Sequence, residues 1–179
     1  MARHRLCYSL RKRWGLIMYV HEYFFTSLRG TSLPLSNYRG QPILIVNTAS
    51  ECGATPQYKK LESLWQDYKQ SGLVVIGIPS NDFGEQEPGD EEAIDDFCVT
   101  NYNITFPMTN KQHVMGQSAH PLFAAMRDEV GEDAIPRWNF WKYLFDRQGQ
   151  LLEFWPTAVE PDDPLITHAI EKNLQSWVF

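Results

Sequence analysis

Cys52 stands within the run Ile43-Leu44-Ile45-Val46-Asn47-Thr48-Ala49-Ser50-Glu51-Cys52-Gly53-Ala54-Thr55-Pro56-Gln57-Tyr58. An apolar strand enters a turn of small residues, and the turn presents one cysteine just ahead of a helix start. A helix N-terminus carries partial positive charge and unpaired N–H groups. A thiol placed there is biased towards thiolate, the form that acts as a nucleophile. The local pattern also fits an inert, buried cysteine, because a free thiol packs like a small hydrophobe; at this level the two readings stand side by side. The other side chains able to do chemistry are scattered. Cys98 follows Phe97 on a periodic apolar stretch, Trp138-Asn139 precedes a strand, and His21, His113, His120 and His168 share no spacing. Ser118 and His120 lack the nucleophile-elbow turn of a hydrolase.

The cysteines Cys7, Cys52 and Cys98 form neither a CxxC pair nor a zinc-type Cys/His spacing, so no metal is expected. Nor does such a sparse, odd set resemble a secreted disulfide framework, which points to reduced thiols in a cytoplasmic setting. A net charge of −6 argues against nucleic acid as a partner. No apolar run approaches the roughly 18–20 residues of a membrane span. With 179 residues and 43% hydrophobic content the chain suits one domain with a substantial core. Residues 1–20 differ from the rest: Arg3, Arg5, Arg11, Lys12 and Arg13 are basic, and no acid precedes Glu22. The stretch has the Arg-rich character of some organellar targeting segments. It also fits a disordered extension upstream of a start at Met18, which is the preferred reading. The expected domain is therefore 21–179.

Periodicity supplies the elements that must position these groups. Tyr23–Leu28 and Ser32–Leu35 read as short strands, and Pro42–Asn47 as a strand buried on both faces. Pro56–Lys69 is helical, with Tyr58, Leu61, Leu64, Trp65 and Tyr68 at helical spacing and Gly72 closing it. Leu73–Ile78 then completes a right-handed βαβ unit. A second helix follows Asp90, bearing Ile94, Phe97 and Cys98 inward. Thr105–Met108 is extended, and residues 119–129 form a third helix. Phe140–Phe145 and Leu151–Trp155 make a hairpin. Asp163 caps a last helix expected to bury Leu165, Ile166, Ala169, Ile170 and Leu174. The predicted class is α/β, a mixed central sheet flanked by helices in a thioredoxin-like fold. Glu85, Glu87, Asp90, Glu91, Glu92, Asp95 and Asp96 read as a solvated acidic face.

In order along the chain, the blocks Leu44–Gly53, Thr55-Pro56-Gln57-Tyr58, Asn81-Asp82-Phe83-Gly84, Gln86-Glu87-Pro88-Gly89, Thr105-Phe106-Pro107, His120-Pro121-Leu122 and Trp138-Asn139-Phe140 resemble the glutathione peroxidase family. The similarity runs from about Tyr23 to Leu174. It implies a thiol peroxidase that reduces hydrogen peroxide and organic hydroperoxides without a cofactor. Cys52 would be the peroxidatic residue, in the place that selenocysteine fills in some animal members, and would pass through a sulfenic acid. Trp138 and Asn139 match two further members of the family's catalytic tetrad, neutral N–H donors for the thiolate and the developing oxyanion.

Two positions depart from the family pattern. Asp82 stands where Gln is usual, and an ionised carboxylate beside a thiolate opposes catalysis. Asp82 is then expected to be protonated, turned away or paired with a cation, with Gln86 and Asn81 as other sources of donors. Ser80 replaces a cysteine found in many members. Cys98 matches the resolving cysteine of the thioredoxin-dependent members, which form an intramolecular disulfide that thioredoxin reduces; core filling beside Phe97 is the plain alternative. The acidic surface suits a protein reductant, thioredoxin, better than anionic glutathione. The resemblance further implies a monomer or weak dimer. Two rivals share the same residues: a peroxide sensor passing its disulfide to a partner protein, and a binding module inactivated by Asp82.

Overall fold

Residues 18–174 are described by the computed structural model. Strands β1 (Phe24–Thr26) and β2 (Ser32–Pro34) pair antiparallel as a separate hairpin. The main sheet has the order β4-β3-β5-β6. In it, β3 (Ile43–Thr48) runs parallel to β4 (Val74–Pro79) and antiparallel to β5 (Lys142–Phe145), which pairs antiparallel with β6 (Leu151–Trp155). The βαβ unit and the hairpin therefore share one mixed sheet, the expected thioredoxin-like arrangement.

Every residue of β3 and β4 is buried because both faces of the sheet are covered. Alternation along the strands divides the core in two. Leu44, Val46, Val75 and Leu144 face helices α1 (Gln57–Tyr68), α2 (Glu91–Tyr102) and α4 (Pro164–Leu174), with Tyr58, Leu61, Cys98, Ile166 and Ile170. Ile43, Ile45, Ile76 and Phe145 face α3 (Pro121–Val130), with Leu122, Phe123 and Met126. Full burial of each such aliphatic side chain contributes about 1.5–3 kcal/mol.

Three sequence expectations change. Met18 and Val20, assigned to an extension outside the fold, are buried in the α3-side core, so the domain begins earlier than residue 21. Cys7 and the basic cluster lie outside the described residues. Leu165 is 60% exposed rather than buried, because α4 turns only Ile166 and Ile170 fully inward. Gly72, with φ of +107°, closes a 3-10 turn (Lys69–Ser71) appended to α1 rather than α1 itself.

Candidate active site

Cys52 sits in a turn rather than at the first residue of α1, which starts at Gln57. The turn is closed locally. The Cys52 N–H donates to Thr55 Oγ1 at 3.0 Å, and that hydroxyl donates to the Ala49 carbonyl at 2.8 Å. The Ala54 N–H points at Cys52 Sγ, 3.4 Å away, so a backbone donor faces the sulfur. Cys52 as a residue is buried, with 8% of its surface exposed.

A second loop, between β4 and α2, is tied to this turn. The Glu51 N–H donates to the Gln86 carbonyl at 3.0 Å, and the Ser50 hydroxyl donates to Glu87. The loop is then linked to a third segment by side chains: Asn139 Nδ2 donates to Gln86 Oε1 at 2.9 Å. Trp138, immediately before, is 39% exposed and leans on Phe83, ring centres 6.0 Å apart. Gly84, with φ of +65°, lies under the indole, and a Cβ there would come within 3.2 Å of Trp138. Asp82, Phe83, Gly84, Met115, Glu132, Ile135, Pro136, Arg137 and Trp138 border an open cavity of about 460 Å³.

The segment 138–141 takes its position from the sheet. Asn47, fully buried in β3, donates from Nδ2 to the Trp138 carbonyl at 2.9 Å and accepts the Trp141 N–H at 3.0 Å. Phe140 adopts φ of +62°, with its N–H on the Asn47 carbonyl at 2.6 Å. Such a left-handed, non-glycine residue is strained, and here the bonds from Asn47 hold it. Asn139 is fully buried, and its Oδ1 has no hydrogen-bond partner.

Asp82 is turned away from this cluster. Its Oδ1 lies 2.7 Å from His113 Nδ1, and its Oδ2 accepts the Val114 and Met115 N–H groups at 2.7 and 3.3 Å. The amide next to Asn139 belongs to Gln86, which the sequence left as a lesser candidate. Asn81 is engaged as a brace, its Oδ1 accepting the Glu87 N–H at 2.9 Å.

Cys98 lies on α2, 1% exposed, in the same core cluster as Cys52; both are free thiols. Burial pushes the Cys98 thiol up to about 12. Tyr58 neighbours it, packed edge-on against Phe140 with ring centres 5.3 Å apart. Glu87, assigned by charge pattern to a solvated face, is completely buried, and burial pushes its carboxyl up to about 7. Nothing in the charge pattern signals this. The role of Asn47 was more accessible, because a lone amide inside an apolar strand demands partners. Among the described residues, no group of three or more His, Cys, Asp or Glu could hold a metal ion, and no helix is long and apolar enough to cross a membrane.

The glutathione peroxidase family model matches residues 20–127. The chain belongs to the glutathione peroxidase family. A glutathione peroxidase-like peroxiredoxin (gpx1) of Schizosaccharomyces pombe is 44% identical over 135 residues, 74% of this chain and 85% of that protein. A hydroperoxy fatty acid reductase (gpx1) of Synechocystis is 40% identical over 163 residues, 87% of this chain and 95% of that one. Among solved structures, Trgpx in its apo form is 32% identical with a TM-score of 0.71, over 88% of this chain and 96% of that chain. This glutathione peroxidase family member is accordingly a thiol peroxidase, an oxidoreductase with peroxide as acceptor.

Proposed function

We propose that the enzyme reduces hydrogen peroxide and organic hydroperoxides through Cys52, with Trp138, Asn139 and Gln86 as the neutral groups around it, and that Cys98 resolves the oxidised sulfur. The observation that carries this reading is the Asn139–Gln86 amide pair, attached through the Glu51–Gln86 backbone bond to the turn that bears Cys52. The Cys52 thiolate attacks one peroxide oxygen. An S–O bond forms, the O–O bond breaks, and the departing alkoxide or hydroxide takes a proton to leave as alcohol or water. Cys52 becomes a sulfenic acid. Neutral N–H donors stabilise the charge that moves onto oxygen without introducing a competing anion. Exchanging the orientation of both amides preserves their mutual bond and turns the N–H₂ of Asn139 towards its unpartnered side.

With its proton held to about 12, Cys98 is not a nucleophile where it lies. α2 must release it, and α2 is suited to that: of its twelve residues only Ile94 and Cys98 are buried. The resulting disulfide suits reduction by thioredoxin in a reducing, cytoplasm-like compartment; a monomer or weak dimer suffices. The inactive-module reading loses its main support, because the carboxylate of Asp82 is spent on His113 and two backbone N–H groups.

The test is NADPH consumption with thioredoxin, its reductase and hydrogen peroxide, comparing wild type with Cys52→Ser and Cys98→Ser. Loss in both supports the two-cysteine cycle. Loss only in Cys52→Ser removes Cys98 and returns glutathione as reductant. No turnover by wild type with thioredoxin or glutathione, on hydrogen peroxide and lipid hydroperoxides alike, overturns the reading in favour of a sensor.

A further inference from the structure

Glu87 is a fully buried acid joining the two cysteine-bearing segments. On one side its carboxyl accepts the Ser50 hydroxyl, two residues before Cys52. On the other its backbone begins the approach to α2, with Asp90 capping that helix and Cys98 two turns further on. Lys111 Nζ fastens this approach by donating to the Glu87 and Gly89 carbonyls at 3.2 and 2.7 Å. The remaining carboxyl oxygen, Oε2, is buried with no hydrogen-bond partner. The charged and titratable groups around the carboxyl are Glu51 from the Cys52 turn, Lys111, the Cys98 thiol on α2 and the Tyr58 phenol on α1.

A buried carboxyl with one oxygen unpartnered is comfortable protonated and poorly solvated when ionised. We propose that Glu87 is a positioning residue for the resolving step: its Ser50 clasp keeps the α2 approach on the Cys52 turn, and its ionisation favours the open arrangement in which Cys98 reaches Cys52. The proposal rests on the reading of Cys98 as the resolving thiol. In the open arrangement the Cys98 sulfur bonds to the sulfur of the Cys52 sulfenic acid and the S–O bond breaks. The departing hydroxide takes the thiol proton and leaves as water.

The direction follows from linkage. Closed, the carboxyl titrates at about 7; hydrated in the open form it returns towards 4.5. Between these values the open form holds fewer protons, so raising pH favours opening by up to about tenfold per pH unit, and the effect levels off above 7. Neither the Cys98 thiol, at about 12 where it lies, nor the Tyr58 phenol, raised well above 10, titrates in that window.

The experiment is single-turnover oxidation of the full chain with one equivalent of hydrogen peroxide, quenched by an alkylating agent, with the Cys52–Cys98 disulfide followed by mass. Wild type is expected to form it about tenfold or more faster at neutral pH than near pH 5, and Glu87→Gln, which keeps the size and an acceptor for Ser50, to flatten that rise. Parallel pH profiles overturn the proposal while leaving the two-cysteine cycle intact. Absence of the disulfide in wild type at every pH, with sulfenic acid accumulating, overturns the cycle itself and the proposal with it. Should Glu87→Gln fail to fold, amide exchange in wild type decides. Loss of protection in α2 relative to α1 over the same pH interval supports the proposal, and equal dependence in the two helices overturns it.

Discussion

Asn139 and Gln86 hydrogen-bond through their side-chain amides at 2.9 Å, although 53 residues separate them. Asp82, four residues before Gln86, directs its carboxylate to His113 and to the backbone of Val114 and Met115. Gln86→Ala is therefore expected to lower kcat/KM by about a hundredfold, the usual effect of deleting a donor beside a developing oxyanion. Asp82→Asn should leave kcat/KM within about threefold but destabilise the fold by roughly 1–3 kcal/mol, since charge-assisted bonds to backbone N–H groups are lost. Steady-state kinetics and thermal melts on both variants separate the two roles, and the opposite ranking would restore Asp82 to the site.

Resting enzyme should hide one thiol and offer the other. Cys52 is 8% exposed and faces a backbone N–H, whereas Cys98 is 1% exposed with its proton held to about 12. Under iodoacetamide at neutral pH, Cys98 is expected to be modified at least about a hundredfold more slowly than Cys52. Peptide mapping over time measures this, and comparable rates would show that α2 is already open.

Gly84→Ala combines two insults at one spot. The residue has φ of +65°, and the added methyl meets the Trp138 ring at 3.2 Å. The backbone term alone destabilises by about 1 kcal/mol. Displacing the indole adds an expected loss of at least about tenfold in kcat, because small misplacements near the reacting atoms are amplified in rate. Tryptophan fluorescence together with kcat detects both; a stability loss with unchanged kcat would separate Trp138 from the chemistry.

Two buried groups give the stability profile opposite slopes. Lys142 is fully buried on β5, donating to the Val159 carbonyl at 2.7 Å, and burial pulls its amine down to about 7. Unfolded, the amine binds its proton up to about 10.5, so this group makes stability rise from about pH 7 upward. Glu87 binds its proton more tightly folded than unfolded, so its contribution is fully present below about 4.5 and is lost as pH rises to about 7. Denaturation against pH should show that Glu87→Gln removes the fall on the acid side, gaining roughly 1–3 kcal/mol at pH 8 relative to wild type. Lys142→Met should remove the rise on the alkaline side. Unchanged slopes in both variants would mean that neither group titrates in place.

The frame was readable because burial leaves simple marks. The short apolar run Ile43–Val46, rich in β-branched residues and bounded by Pro42 and a turn of small residues, reads as an interior strand, and the spacing of Tyr58, Leu61 and Leu64 reads as a helix packed on it. The position of Cys52 was legible for the same reason, since it stands where strand gives way to helix. What escaped was the direction of side chains in loops. Asp82 and Gln86 occupy one short loop, and the backbone turns at Gly84 (φ of +65°) and Glu85 (φ of +53°) decide which of them reaches Asn139. Glu87 was misplaced because charge in a sequence suggests water, while the Ser50 hydroxyl and the packing of three segments keep this acid inside. Met18 and Val20 were lost to the basic stretch before them, whose composition overshadowed two ordinary core residues.

Asn47 has a consequence for how such a site varies. One amide in the centre of the sheet grips both flanks of the Trp138–Trp141 segment, so that side of the site is as fixed as the strand carrying it. The facing loop from Asn81 to Gly89 hangs from the same scaffold by a few separable bonds. The two walls are therefore unequal partners in change: substitutions in the loop can retune access and reactivity step by step, whereas the Trp138–Asn139 wall must be kept or lost as a unit.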